Sequence, residues 1–329
     1  MSDEHTARLP EISVVAPMHN EAQNLDTFFE RVGGILDQAG CRWEIVCVND
    51  GSSDDTLARL LDWHARDPRI KVIDLSRNFG KEVALTAGLD HARGAAVVPI
   101  DADLQDPPEL IPEMIARWRE GYDMVYATRR LRHGETAFKR ATANLFYRLL
   151  DRISEVHIPR NTGDFRLMDR RVVEALRRMP ERTRFMKGLF AWVGFRQTAV
   201  YYDRDPRLAG ETSWNYWRLW GLAVDGITSF SAVPLKVWSY VGLFLSLSAL
   251  LYAAFLIIRV FVQGIDVPGY ASMMVVILFL GGMQLITLGI LGEYLARVFT
   301  EVKQRPLYLI RETRGLEQDI RPHRPDPEE

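Results

Sequence analysis

The chain has only two cysteines, Cys41 and Cys47, and they flank and enter one predicted strand. A bond between them would require that strand to fold back on itself, so a disulfide framework is excluded and reduced thiols in a cytosolic setting are expected. Lysine is scarce, confined to Lys71, Lys81, Lys139, Lys187, Lys236 and Lys303, and the formal net charge is -2. With no broadly basic surface, nucleic acid is not an expected partner. Two phosphate-binding signatures are missing as well: no GxGxxG follows the first apolar run, and no GxxxxGKS/T occurs anywhere. That disfavours a dinucleotide enzyme and a P-loop NTPase. His19, His64, His91, His133 and His157 fall at no metal-ligand spacing, and there is no internal repeat or low-complexity segment.

What is present is a 329-residue chain, 47% hydrophobic, with its apolar residues unevenly spread. Val237–Ile258 carries no charge for about 22 residues, which as a helix would span roughly 33 Å, enough for a bilayer core. Val267–Gly292 is a second uncharged run of about 26 residues. Both read as transmembrane helices, since soluble cores rarely contain such stretches. Lys236 precedes the first run, and Arg297, Lys303, Arg305, Arg311 and Arg314 follow the second, whereas the joining loop holds little beyond Arg259 and Asp266. The positive-inside bias puts both chain ends in the cytoplasm, in a multi-pass protein of the cytoplasmic (inner) membrane. The first apolar run is too short for a signal peptide.

The preceding two-thirds alternates strand-like and helical patterns. Strands are expected at Ile12–Met18, Glu44–Asp50, Ile70–Ser76, Ala95–Asp101 and Asp123–Arg129, with helices near 22–39, 54–65, 81–92 and 107–120 between them. This is the alternation of an α/β fold with an open, mostly parallel sheet, whose ligands bind beyond the carboxyl ends of the strands. Those ends carry oxygen-bearing groups (Asn20, Glu21, Asp50, Asp101, Asp103) and the cations Arg77, Lys81, Arg129 and Arg130, which suit phosphates. Asp101 and Asp103, with Gln105 as a third oxygen donor, either hold a hard cation such as Mg²⁺ or Mn²⁺ against a diphosphate or cap the next helix. Asp106 before Pro107 already offers a cap, which favours the metal.

PMHNEAQNL, VNDGSSDDT, LSRNFGKEVALTAGLDHARG, IDADLQDPPELIPEM, NTGDFRLMDRRVV and GEYLARVFTEVKQRPLY together resemble glycosyltransferase family 2, in family order from about Ile12 to Ile310. More closely, the chain looks like the membrane-tethered polyprenyl-phosphate glycosyltransferases: bactoprenol glucosyltransferases, undecaprenyl-phosphate formamido-arabinose transferases and dolichyl-phosphate mannose synthases. The resemblance implies a GT-A fold, a nucleotide-sugar donor, a divalent metal and an isoprenoid phosphate acceptor. By it, Pro17, Asn20 and Glu21 hold the base and ribose, Asp50 the base, and Arg77, Lys81, Asp101 and Ala102 the rest of the donor. Asp101, Asp103 and Gln105 bind metal and diphosphate. Asp164 in GDFRL stands at the catalytic or sugar-binding aspartate, with Arg166 and Asp103 completing the catalytic set. RDPRLAGETSW resembles RxxGxSK followed by an aromatic, giving Arg207, Gly210, Thr212 and Trp214. Ser213 replaces the lysine, leaving Arg204 or the Arg129 and Arg130 pair to meet the acceptor phosphate.

The chemistry agrees with that reading. A phosphate monoester has a second pKa near 6, so the acceptor attacks without a strong base, and Asp164 serves as base or, more readily, positions the sugar. The metal neutralises the leaving diphosphate, and attack from the opposite side inverts the anomeric carbon. Interfacial amphipathic helices are expected near 182–195, where Arg182, Arg184 and Lys187 alternate with Phe185, Leu189, Phe190 and Trp192, and near 212–231, rich in Trp214, Tyr216, Trp217 and Trp220. The basic loop 129–140 and a helix at 141–153 are expected to cover the site.

The resulting layout is a flexible N-terminus (1–10), a cytosolic catalytic domain (11–232), a two-helix membrane domain (233–300) and a cytosolic tail (301–329). The expected reaction is hexosyl transfer, glucose from UDP-glucose foremost, to undecaprenyl phosphate for a cell-envelope glycan or lipid, with formamido-arabinose or mannose as alternative sugars. A processive synthase is disfavoured by the missing QxxRW, and a non-enzymatic tethered scaffold by the intact acidic set. Gly281, Gly282, Gly289 and Gly292 would let helices approach closely, consistent with a homo-oligomer.

Overall fold

The apolar runs form the strands of one eight-stranded mixed sheet in a computed structural model that describes residues 9–129, 162–202 apart from 180 and 183, 269–316, and scattered positions between 240 and 262. In chain order the elements are β1 (Ile12–Met18), α1 (Leu25–Gln38), β2 (Trp43–Asn49), α2 (Thr56–Arg66), β3 (Ile70–Leu75), α3 (Lys81–His91), β4 (Ala96–Pro99), a short 3₁₀ turn (Pro108–Leu110) and α4 (Ile111–Arg119). There follow β5 (Met124–Arg129), β6 (Thr162–Asp169), α5 (Arg170–Arg177), α6 (Met186–Trp192), β7 (Gln197–Tyr202), α7 (Tyr270–Val302) and β8 (Ile310–Arg314). The sheet order is β7-β5-β6-β4-β1-β2-β3-β8. β1 pairs in parallel with β2 and β4, β2 with β3, and β5 with β7, while β6 and β8 run antiparallel to their neighbours.

The central strands are covered on both faces, which is why they read as unbroken apolar runs. Every residue of β2 is buried. On one face Ile12, Val14, Ala16 and Met18 of β1 meet Phe28, Val32 and Leu36 in one core cluster. On the other, α3 lies so close that a Cβ on Gly88 would sit 2.2 Å from Val15 Cγ1 and 3.2 Å from Val48 Cγ2. Both cysteines are buried free thiols.

The direction of β6 decides where the chemistry can happen. Being antiparallel to β4 and β5, with Thr162 opposite Thr128 and Asp169 opposite Ala96, it brings its first residues to the carboxyl ends of those two strands. Asp164 therefore reaches the edge where β4 delivers Asp101. The sequence reading had no strand for β6, β7 or β8.

The chain divides into two compact units, the first comprising 1–141, 158–213 and 305–329, the second 142–157 and 214–304. In the second unit, α7 is 33 residues long, and its stretch Phe279–Val302 is long and apolar enough to cross a membrane. Leu285, Leu288 and Leu295 are among its exposed side chains. The expected span Val267–Gly292 overlaps this helix from Tyr270 onward. The other, Val237–Ile258, lies largely outside the described residues.

The α3 contact makes a first prediction. Gly88→Ala should destabilise the full chain by about 1–3 kcal/mol through overpacking against Val15, read as a lowered midpoint of denaturant unfolding in detergent. An unchanged midpoint would mean that α3 has room to move away from β1.

Candidate active site

The turn after β4 is tight: Leu104 takes φ 51° and donates its backbone N–H to the Asp101 carbonyl at 3.3 Å. Asp103 accepts from the Gln105 backbone N–H at 3.2 Å, and Ala102 is buried beneath them. The expected cap is different. The 3₁₀ turn that follows has no side-chain cap, and Asp106, buried, instead accepts from Arg129 Nη2 at 3.0 Å and from the Tyr202 hydroxyl. Arg129 also donates Nε–H to that hydroxyl at 2.8 Å. Its guanidinium is thus committed to joining the ends of β5 and β7 to the turn, which leaves less of it for a phosphate.

Lys81, the first residue of α3, is the centre of the site. Its ammonium lies 2.7 Å from both carboxylate oxygens of Asp101 and 3.1 Å from Asp164 Oδ2. Burial pulls the lysine down, but the two carboxylates outweigh it and hold it above its ordinary value. Asp164 is pushed up by burial and pulled further down by Lys81, Lys187 and Arg166, so it stays ionised below the usual carboxylate range. Its Oδ1 is buried with no hydrogen-bond partner. Asp101 ends above the carboxylate range, because burial and the charges of Asp164 and Asp103 exceed the help from Lys81.

Arg166 is not a free cation. It is 5% exposed, stacked 3.9 Å over the Phe190 ring, and donates Nη2–H to the Gly163 carbonyl at 2.8 Å. It braces the start of β6 and the backbone that presents Asp164.

Toward β1–β3 the edge is stitched by the residues expected to hold the nucleotide. Asp50, buried, accepts the backbone N–H of Phe79 at 2.7 Å and of Gly80 at 2.9 Å, fixing the loop that leads to Lys81. Gly51 beneath that loop has φ 62°, and a Cβ there would lie 2.4 Å from the Asn78 nitrogen, so only glycine fits. Asn20, at φ 58°, donates its backbone N–H to Ser52 Oγ at 3.0 Å and accepts from the Ser53 N–H at 2.8 Å. Pro17 is half-buried beside them. Arg77 lies 4.0 Å over the Phe79 ring. Glu21 sits above its usual range through burial and the nearby charges of Asp103, Asp101 and Asp54, despite a hydrogen bond from Asn24.

This crowding of carboxylates tests the expected metal. Among the described residues, no three acidic, histidine or cysteine side chains form a ready-made cage. The turn does supply the hard oxygens of Asp101, Asp103 and Gln105, a partial donor set suited to Mg²⁺ or Mn²⁺ that takes its other ligands from water and phosphate. The residues fit the ion.

Arg130, Arg204, Arg207, Gly210, Thr212, Ser213 and Trp214, the loop 130–140, the helix at 141–153 and the segment 212–231 lie outside the described residues. In the 182–195 stretch, the helix is confined to α6, and Met186, Leu189 and Phe190 are buried in the protein, not turned to a headgroup layer. Trp192 and Phe195 stay exposed.

One residue escaped the sequence reading. Glu82 follows Lys81 and looks like the solvated face of a helix, yet its carboxylate accepts from the Met186 N–H at 3.4 Å. Burial, reinforced by Asp164 and opposed by Lys81 and Lys187, lifts its pKa to about 7. The unfolded chain ionises this group near its ordinary 4.5, so its contribution to stability is fully present below that value and is lost as pH rises through about 7. Glu82→Gln should therefore flatten the fall in stability between about pH 4.5 and 7, on the order of 3 kcal/mol, measured as unfolding midpoints at each pH. A variant that tracks the wild type would show that Glu82 ionises freely in the folded protein.

Residues 13–177 match Glycosyl transferase family 2, and residues 233–298 match the GtrB C-terminal hairpin. The chain is 61% identical over 307 residues to the uncharacterized glycosyltransferase sll0501 of Synechocystis, covering 93% of this chain and 96% of that one. It is 49% identical over 302 residues to the SfII prophage-derived bactoprenol glucosyl transferase of Shigella flexneri, covering 92% and 98%. It is 47% identical over 305 residues to the glycosyltransferase YkcC of Bacillus subtilis, covering 93% and 94%. With a mostly parallel α/β sheet of GT-A type and an acidic carboxyl edge, the chain belongs to glycosyltransferase family 2 and is a glycosyltransferase.

Proposed function

We propose that the protein transfers glucose, with inversion, from UDP-glucose to undecaprenyl phosphate at the cytoplasmic face of the membrane. The observation that carries this reading is the convergence of Asp101 and Asp164 on Lys81, in a chain nearly half identical along its length to a bactoprenol glucosyl transferase.

In this reading the β1–β3 edge takes the nucleotide: Pro17, Asn20, Glu21 and Asp50 shape the base and ribose pocket, and Arg77 faces the phosphates. Asp101, Asp103 and Gln105 would hold Mg²⁺ or Mn²⁺, which when bound would supply positive charge against the leaving diphosphate. Lys81 adds a second positive charge beside the same leaving group. Asp164 stays ionised and keeps one carboxylate oxygen unpartnered, so it can orient a sugar hydroxyl and stabilise positive charge at the anomeric carbon. The acceptor phosphate needs no strong base. Arg130, Arg204 and Arg207 are the cations we assign to it, with Arg129 as a brace.

Membrane attachment follows a division into a catalytic domain (11–232), a two-helix hairpin (233–300) and a C-terminal segment (301–329) whose strand β8 belongs to the catalytic sheet and is not a free tail, with both ends cytosolic. What supports the hairpin is the long apolar α7 and the outward large side chains at helical positions before it, including Tyr240, Phe244, Leu251 and Phe255. So large an outward apolar surface is unusual for a soluble protein.

The test uses purified protein in detergent with undecaprenyl phosphate, Mg²⁺ or Mn²⁺ and labelled nucleotide sugars that include mannose and formamido-arabinose donors. Label from UDP-glucose should move into the organic phase and stop on chelation. Asp103→Asn and Asp164→Asn should each lower kcat by about 10²-fold or more. No transfer from any donor, with lipid and metal both bound, would refute the enzyme reading in favour of a scaffold. Transfer from a different sugar would correct the donor alone.

A further inference from the structure

The segment that follows α7 lies beyond both matched regions, which end at residues 177 and 298. It nevertheless returns to complete the catalytic sheet. β8 pairs antiparallel with β3, Arg314 opposite Val72 and Ile310 opposite Leu75, with a bulge after Asp74. Tyr308 donates its hydroxyl to Asp90 Oδ2 at 2.8 Å, tying the same segment to the end of α3.

Arg311 makes the contacts that matter. Its Nη1 lies 3.2 Å from Asp74 Oδ2, and its Nη2 donates to the Ser76 carbonyl at 2.8 Å. Asp74 is buried, so Arg311 supplies the counter-charge of a carboxylate that water does not reach. The other oxygen of Asp74 accepts from Asn49 Nδ2 at 2.7 Å, and Asn49 Oδ1 in turn accepts from the Ser52 N–H at 3.4 Å. Ser76 is held from both sides, since its N–H donates to the Leu309 carbonyl at 2.8 Å. From Ser76 the chain runs directly into Arg77–Gly80, the loop gripped by Asp50.

Arg311 therefore sits at the root of both loops that shape the nucleotide end of the site. One route runs through Asp74 and Asn49 to Ser52 and Asn20, the other through Ser76 to Phe79 and Gly80. We propose that Arg311 is a positioning residue for nucleotide binding, acting through Asp74 and Ser76 and never touching the donor. This rests on the assignment of the β1–β3 edge to the nucleotide.

The test uses the full chain in detergent and measures UDP binding by calorimetry, together with KM for donor and acceptor and kcat. Arg311→Ala should weaken UDP binding and raise the donor KM on the order of tenfold, with acceptor KM and kcat within about twofold. Arg311→Lys should recover most of that loss, and Asp74→Asn should reproduce it without adding to it in the double variant. Arg314→Ala, on the same strand but paired with Glu312, should leave UDP binding at the wild-type value. If Arg311→Ala does not fold, Asp74→Asn decides: weakened UDP binding supports the proposal and unchanged binding overturns it. A lowered unfolding midpoint with unchanged UDP affinity would also overturn it, making β8 a purely structural strap. A wild type that transfers sugar but binds nucleotide elsewhere would overturn it too, and one that binds no UDP would sink the underlying site assignment before any variant is made.

Discussion

An ammonium group between two aspartates holds the carboxyl edge of this sheet together. Asp101 and Asp164 come from strands of opposite direction, and without Lys81 their charges would oppose each other across a partly dry cleft. Glu82 shows the cost of that crowding, since it lies one residue further along α3 and is lifted by the Asp164 charge as well as by burial. The cation also suits the proposed chemistry. A bound diphosphate and metal would give Lys81 an anion to turn to and Asp101 another cation, so partners would be exchanged without leaving a buried charge alone.

The surroundings are arranged to keep that exchange local. Arg166 is sandwiched between Phe190 and the backbone of β6, so the strand that carries Asp164 is fixed beneath it. Asp50 spends both carboxylate oxygens on the loop before Lys81. Charged residues that look like substrate contacts in the sequence are here largely scaffolding, and among the described residues Asp164 Oδ1, buried beside the Lys81 ammonium, is a site oxygen left without a partner.

Much of this was legible from the residues. Parallel strands buried on both faces appear as apolar runs, and the boundaries of β1 to β5 fall within a residue or two of the reading. The strand ends named Asp50, Lys81, Asp101 and Asp103, all of which the fold brings to one edge. The later strands were hidden for physical reasons. TGDFRLMD in β6 mixes charge with core residues because its first half lines the site, and IRETR in β8 is a short edge strand that exposes Arg311, Glu312 and Arg314 and so carries no apolar alternation. Asp106 was misread as a cap because its true partners, Arg129 and Tyr202, are distant in sequence. Leu189 and Phe190 have the composition of an interfacial helix, and only the tertiary fold shows that they face inward.

The antiparallel run of β6 has a consequence for how such proteins diverge. The chain leaves the sheet at the end of β5 and re-enters at the start of β6, and Thr128 and Thr162 pair across the gap. Residues 130–161 lie between those two strand ends in the chain. The entropy of closing a chain segment between two fixed strand ends grows only with the logarithm of its length, about 0.6 kcal/mol per doubling. Selection can therefore lengthen, shorten or exchange this insert at small thermodynamic expense while Asp101, Lys81 and Asp164 keep their positions. A fixed acidic centre beside an exchangeable insert is a route by which one chemistry is retargeted to new acceptors.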